Sequence, residues 1–129
     1  MESLFFVGKG VTFDTGGADI KYNGVMRGMS RDKCGAATVF GFMLALGKLQ
    51  PSHLNVVAEL GMVRNSIGSD SYVCDEIIES RSGQKVLIGN TDAEGRLVMS
   101  GKKNNIFFFF IFNSFLILFV VKHSSYYHI

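Results

Sequence analysis

The chain has 129 residues, 47% of them hydrophobic, which is enough for one modest globular domain and too few for two. Residues 1–101 carry 10 Lys and Arg against 11 Asp and Glu, a formal charge of −1, whereas residues 102–129 add three Lys and no acid. Because the positive charge belongs to the tail and forms no basic stripe, no nucleic-acid partner is expected. Cys34 and Cys74 have no metal-binding spacing, so free thiols in a reducing compartment are favoured over a disulfide. The start, MESLFFVGKG, lacks the apolar segment of a secretory signal, and we expect a cytoplasmic protein.

The first half of the chain predicts a strand, a loop and a helix. SLFFVG (3–8) is a short apolar run closed by glycine, typical of a buried strand. Residues 9–30 are Gly-rich and irregular and indicate a long loop, with at most one short strand; loops of this length are usually functional. Residues 31–49 predict a helix whose first turn lies near Asp32 and which ends before Pro51.

The second half predicts a second strand, a hairpin and a further helix. LNVVAELGMV (54–63) is apolar enough for a buried strand, and residues 75–89 predict two short strands around a Ser-Gly turn. GRLVMSG (95–101) can open a helix. This order predicts an α/β fold with a mixed, largely parallel sheet flanked by helices. Sites in such sheets gather at the carboxyl ends of the strands, where the loops 9–32 and 90–96 both fall.

The tail, residues 102–129, has a different composition, with seven of the 12 Phe and no Gly, Ala, Asp or Glu. Its apolar run, 106–121, is 16 residues long and slightly short for a bilayer span. Three interpretations stay open: a membrane anchor, a pair of core strands, or a non-native, disordered peptide. Since Lys, Asn, Ile, Phe and Tyr have A/T-rich codons, translated non-coding sequence such as a retained intron is favoured.

Seven charged residues lie in the two loops that are expected at the carboxyl edge of the sheet. They are Lys9, Asp14, Lys21, Asp32, Asp92, Glu94 and Arg96. Carboxylates that converge there repel one another unless cations neutralise them, and hard divalent ions with oxygen ligands are the usual solution. A lone Asp-x-Glu pair is more often a solvated turn, and a lysine beside carboxylates more often a structural ion pair. Spacing alone leaves both alternatives open.

The order of three motifs resembles a known family. VGKGVTFDTGGADIK (7–21), MSRDKCGAAT (29–38) and NTDAEGRL (90–97) are together similar to the leucyl (cytosol) aminopeptidase family of metallopeptidases, whose signature octapeptide is NTDAEGRL. The resemblance covers about residues 4–101 and implies part of the catalytic domain of a dinuclear metallo-aminopeptidase. In one departure, Cys34 stands where the family usually has a glycine at the start of a helix.

The resemblance implies two divalent metal ions, Zn²⁺ and/or Mn²⁺. Asp14 and Glu94 would bridge the two ions, and Asp92 would bind one of them with the bridging pair. Lys9 and Asp32 would complete the coordination of the other ion, which requires Lys9 to lose its proton. Two dications and burial lower the pKa of such an amine and make this possible.

The resemblance also implies the remaining roles. Lys21 and Arg96 would be catalytic, with Lys21 at the developing oxyanion and Arg96 holding a bicarbonate-like anion. Lys21, Asp32 and Met29 would contact a peptide substrate with a leucine-like first residue. Family members assemble as homohexamers and are far longer than this chain. Two alternatives therefore stay open: a catalytically inactive truncated fragment, and a small tail-anchored membrane protein.

Overall fold

The computed structural model describes residues 2–80, 82–100, 107–112 and 115–121. Short 3-10 turns at Met29–Arg31 and Thr91–Ala93 precede the two helices of this part of the chain. The strands and helices are β1 (Glu2–Asp14), α1 (Cys34–Leu49), β2 (Leu54–Asn65), β3 (Ile77–Glu79), β4 (Lys85–Leu87), α2 (Glu94–Ser100), β5 (Phe107–Phe112) and β6 (Phe115–Val121).

Four of these strands form one mixed sheet in the order β1-β2-β6-β5. β1 and β2 run parallel, from Glu2 opposite Leu54 to Asp14 opposite Asn65, with an irregularity after Val11. β6 is parallel to β2, and β5 is antiparallel to β6. Helix α1 packs against β1 and β2, and α2 contacts the same two strands. The predicted α/β fold with a mixed, largely parallel sheet flanked by helices is therefore confirmed.

The apolar tail contributes β5 and β6 to this sheet, within the described ranges 107–112 and 115–121. Residues 101–106 and 122–129 lie outside the described residues, and so does part of the tail prediction. In the part of the chain that the structure describes, no helix combines the length and apolarity needed to cross a membrane.

Strand β1 is longer than the sequence predicts, because it continues through Asp14 into the segment expected to be loop. Two glycines are required by close packing between β1 and α1. A Cβ on Gly8 would lie 2.7 Å from the Cα of Ala36, and a Cβ on Gly35 would lie 3.0 Å from the backbone nitrogen of Lys9. The first turn of α1 thus rests directly on β1 beside Lys9.

Two hydrophobic clusters anchor the helices to the sheet. One joins α1 to β2 through Met43, Leu46, Val56 and Ala58. The other joins α2 to β1 through Val98 and Val11. It also includes Tyr72, from the segment before β3, and Ile88, from the segment after β4. Because each helix is held by its own cluster, both begin at fixed positions relative to the ends of β1 and β2. Cys34 and Cys74 are both free thiols, and Cys34 is exposed at the start of α1.

Candidate functional site

The first half of the charged cluster centres on Lys9, a residue of β1. Its Nζ lies 2.7 Å from Asp32 Oδ2 and 2.6 Å from Glu94 Oε1. Asp32 follows the turn before α1, and Glu94 is the first residue of α2. Gly95 makes room for this lysine, since a Cβ there would lie 3.0 Å from Lys9 Cε. Burial lowers the pKa of Lys9, but the pairs with Asp32 and Glu94 outweigh it and raise the pKa above its usual value.

The second half centres on Lys21, which lies on the loop after β1. Its Nζ lies 3.0 Å from Asp14 Oδ2 and also contacts Asp92 Oδ1. Burial lowers the pKa of Lys21, and the pairs with Asp92 and Asp14 reverse this to a net rise. Burial raises the pKa of Asp14, while hydrogen bonds from the Gly16 N–H, Lys21 and Asn65 lower it, so the net pKa falls below its usual value.

Three of the acids from these two halves converge. Asp14, Asp32 and Glu94 each have a carboxylate oxygen within 4.8 Å of the other two, in the part of the chain that the structure describes. Asp14 and Glu94 are almost completely buried, with exposures of 3% and 1%. Asp92 joins the group through its contact with Lys21. Clustered carboxylate oxygens at this spacing are the ligands that hard divalent cations prefer, and the donor set therefore fits such an ion.

Asn65, the last residue of β2, connects the two halves. Its Nδ2 donates to Asp14 Oδ1 at 2.8 Å, Thr91 O at 3.0 Å and Glu94 Oε2 at 3.2 Å. All three partners are acceptors, so the atom facing them must be the amide nitrogen. Sequence reasoning missed Asn65 because the predicted strand 54–63 ended two residues before it. The available signal was a polar residue at the carboxyl end of a buried strand.

A second group of hydrogen bonds holds the loop of Lys21 against the turn that contains Asp92. Thr91 Oγ1 donates to Gly16 O at 2.6 Å and accepts from Asp19 N at 2.8 Å, while Thr91 N donates to Asp19 Oδ2 at 2.8 Å. Asn90 completes the turn, since its side chain accepts from Asp92 N at 2.7 Å. These bonds explain why Lys21 and Asp92 meet although 71 positions separate them.

The loop needs glycine where it passes beneath these groups. Gly17 has a φ of +66°, a conformation that other residues rarely adopt, and a Cβ there would lie 2.9 Å from Asn65 Oδ1 and 3.0 Å from Thr91. Any side chain at position 17 would therefore push the loop away from Asn65. The Gly-Gly pair after Asp14 in the first motif thus has a steric explanation.

Arg96 and Met29 are not among the residues that pair with the four acids in the described part of the chain. Arg96 is exposed on α2 and lines a shallow cavity of about 300 Å³ together with residues 86–90. Met29 is half-buried in the turn before α1. The structure therefore brings together six of the predicted site residues: Lys9, Asp14, Lys21, Asp32, Asp92 and Glu94.

Fold and site together define an α/β domain whose acidic, lysine-containing site lies at the carboxyl ends of two parallel strands. Comparison with known proteins places this domain in a family. Residues 1–102 match the catalytic domain of the cytosol aminopeptidase family. The chain therefore belongs to the cytosol aminopeptidase family and corresponds to part of its catalytic domain.

Individual relatives agree with this assignment. The chain is 57% identical over 98 residues to a putative aminopeptidase of Caenorhabditis elegans, covering 76% of this chain and 19% of that protein. A probable cytosol aminopeptidase of Rhodopirellula baltica is 48% identical over 97 residues, which cover 75% of this chain and 19% of that protein. The chain thus spans about a fifth of the length of the curated relatives it matches.

Solved structures show the same fold. Leucyl aminopeptidase from Trypanosoma brucei in complex with bestatin matches with a TM-score of 0.70 and 41% identity, over 77% of this chain and 19% of that chain. Cytosol aminopeptidase from Coxiella burnetii matches with a TM-score of 0.68 and 39% identity, over 75% of this chain and 21% of that chain.

Proposed function

We propose that this chain forms the metal-binding part of a metallo-aminopeptidase, which hydrolyses the N-terminal peptide bond of peptides with a leucine-like first residue. The observation that carries the proposal is the meeting of Asp14, Asp32 and Glu94 within 4.8 Å, on a domain of the cytosol aminopeptidase family. These acids come from three separate segments of the chain, so a solvated turn around Asp92 and Glu94 does not account for the arrangement.

The residues present suit two divalent ions, Zn²⁺ and/or Mn²⁺. In the proposal, Asp14 and Glu94 would hold both ions, with Asp92 added for one of them and Lys9 and Asp32 for the other. Such ions supply a bound water of lowered pKa and polarise the carbonyl that is attacked. The ion pairs of Lys9 in the structure are also what a purely structural role predicts. Substitution of Lys9 is therefore needed to decide whether Lys9 is a metal ligand or a structural ion-pair partner.

Lys21 is proposed to stabilise the oxyanion that develops on the carbonyl oxygen. Its Nζ pairs with Asp14 and Asp92, so its ammonium group, a hydrogen-bond donor, lies beside two of the proposed metal ligands. Arg96 is proposed to hold a bicarbonate-like anion that passes a proton to the leaving amine. Arg96 follows Glu94 by two residues on α2, and the cavity that it lines also includes Asn90 and Ala93.

Asp32 and Met29 are proposed to select the end of the peptide. The side chain of Asp32 is 26% exposed, whereas those of Asp14 and Glu94 are buried, so Asp32 is accessible from solvent. A carboxylate there can accept hydrogen bonds from a free α-amino group and restrict hydrolysis to the first peptide bond. Met29, three residues earlier, is proposed to line the pocket for the first side chain.

Location and assembly complete the proposal. Several relatives are called cytosol aminopeptidases, which supports a cytoplasmic location. A homohexamer is the assembly that the family resemblance implies for the longer protein. The tail-anchor alternative makes a separate prediction: the chain would partition into lipid vesicles and lose this property when residues 102–129 are removed.

Metal titration of the purified chain, followed by an activity assay, tests the proposed function. We expect binding of about two Co²⁺ or Mn²⁺ ions per chain, as in dinuclear hydrolase sites. Release of leucine from a leucyl anilide then separates an active chain from an inactive fragment, which binds metal without turnover. Absence of metal binding would contradict the proposal.

A further inference from the structure

The position of Asn65 between the two most buried acids of the site assigns it a role in metal binding. We infer that Asn65 is a positioning residue: its amide holds one oxygen of Asp14 and one oxygen of Glu94, and so directs the other oxygen of each toward the cations. This inference rests on the proposed function, because it concerns how the proposed ligands are oriented.

Within each of the two carboxylates, the two oxygens have different partners. Oδ1 of Asp14 accepts from Asn65 Nδ2 at 2.8 Å and from Gly16 N at 2.9 Å, whereas Oδ2 faces the ammonium of Lys21 at 3.0 Å. Oε2 of Glu94 accepts from Asn65 Nδ2 at 3.2 Å, whereas Oε1 faces Lys9 at 2.6 Å. On both acids the amide takes one oxygen and a cation takes the other.

Glu94 is almost completely buried, and its Oε1 faces the ammonium of Lys9 at 2.6 Å. A carboxylate oxygen that already faces a cationic group at this distance is suited to coordinate a metal ion. The neighbouring Oε2 is already committed to Asn65. The two oxygens of this carboxylate therefore have different functions.

Asn65 is held firmly enough to impose this orientation. It is fully buried, and its backbone oxygen accepts from Thr15 N at 2.9 Å and from Thr15 Oγ1 at 3.1 Å. Its amide also donates to Thr91 O at 3.0 Å. Since the amide is neutral, it orients Asp14 and Glu94 without cancelling their charges, which remain available to dications. A lysine at this position would neutralise one of them.

Co²⁺ titration of the full chain, monitored by visible absorption, tests the inference with Asn65→Leu, which keeps the same branched arrangement of side-chain heavy atoms and removes the donor. Groups that orient metal ligands contribute about 10- to 100-fold in affinity, and we expect Co²⁺ binding to weaken by this factor with an altered absorption spectrum. Val56→Ala, a buried change on the same strand outside the cluster, is the control for lost stability. It is expected to leave Co²⁺ affinity within twofold of wild type.

The outcomes separate the two proposals. Wild-type affinity and spectrum in a folded Asn65→Leu variant would overturn the inference and leave the proposed function intact, whereas no Co²⁺ binding by the wild-type chain would overturn both. If Asn65→Leu does not fold, NMR of the Asn65 side-chain amide in the wild-type chain decides. Slowly exchanging protons whose signals shift on Zn²⁺ addition support the inference, and signals that are unchanged by Zn²⁺ overturn it.

Discussion

The Lys9 half and the Lys21 half of the site have nearly the same local chemistry. In each, one lysine lies between a buried acid and a more exposed one: Lys9 between Glu94 and Asp32, and Lys21 between Asp14 and Asp92. In each, the ion pairs overcome the effect of burial and raise the pKa of the lysine. Distance and charge alone therefore do not separate a metal ligand from a catalytic lysine.

The backbones around the two lysines do differ. Lys9 lies in the middle of β1, directly beneath the first turn of α1, with its side chain packed against Gly95. Lys21 lies within the loop after β1, where its N–H donates to Thr15 O and the Thr91–Asp19 hydrogen bonds hold the loop in place. A strand therefore fixes the position of Lys9, whereas a hydrogen-bonded loop fixes the position of Lys21.

Glu94→Ala should have the largest effect on this site, because Glu94 belongs to the Lys9 half and is joined to the Lys21 half through Asn65. We expect Co²⁺ binding by the chain to fall below detection in a calorimetric titration. Asp70→Ala removes an exposed acid away from the cluster and serves as the matched control. Undiminished binding by folded Glu94→Ala would remove Glu94 from the ligand set.

Substituting each lysine by methionine sharpens the comparison between the halves. We expect Lys9→Met to lower the number of bound Co²⁺ ions per chain, whereas Lys21→Met should retain it. In a longer family member with the same motifs, substitution of the lysine that corresponds to Lys21 by methionine should lower kcat about 100- to 1,000-fold, as removal of one oxyanion donor does. Equal loss of metal in both variants would mean that the two halves are functionally alike.

Core truncation separates stability from metal binding. Met43 is 1% exposed in the cluster between α1 and β2, so Met43→Ala leaves a cavity and should lower the free energy of unfolding by about 2–5 kcal/mol. Urea unfolding measures this change. Metal affinity of the folded fraction is expected to stay at the wild-type value, and a parallel loss of affinity would show that the site depends on general stability.

Asp19 predicts a smaller, pH-dependent effect. Hydrogen bonds from Thr91 and from the Cys74 thiol hold the pKa of Asp19 below its usual value of 3.8. Its stabilising contribution is therefore complete above about pH 5 and is lost as the pH falls through 3.8 and then through the lowered pKa. Asp19→Asn should lower stability at pH 7 and flatten the acid limb of the stability curve, measured by urea unfolding between pH 2.5 and 7. An unchanged acid limb would exclude Asp19 as a contributor.

Much of the fold and site could be predicted from the sequence, because the informative signals are local. The apolar run 54–63, the Ser-Gly hairpin and the unchanged NTDAEGRL each predict an element or a role without reference to distant contacts. The extension of β1 was missed because residues 9–30 are Gly-rich and suggest a loop. The packing requirement at Gly10 appears only once β2, with Gly61 and Met62, is placed beside β1.

Asn65 and Thr91 were missed for a related reason. Each acts by joining segments far apart in the chain: Asn65 connects Asp14 to Glu94, and Thr91 connects Asp19 to the turn before α2. A single polar residue carries no periodic signal of such a role. What the sequence does contain is its position, since Asn65 ends β2 at the edge of the sheet where Asp14 ends β1.

A crystal structure of the chain grown with Zn²⁺, with anomalous differences measured at the zinc edge, tests the central claim most directly. Two peaks about 3.5–4 Å apart, within coordination distance of Asp14 Oδ2 and Glu94 Oε1, are the predicted result. Peaks only at Cys34, Cys74 or the histidines, with the lysine–carboxylate pairs unchanged, would contradict it.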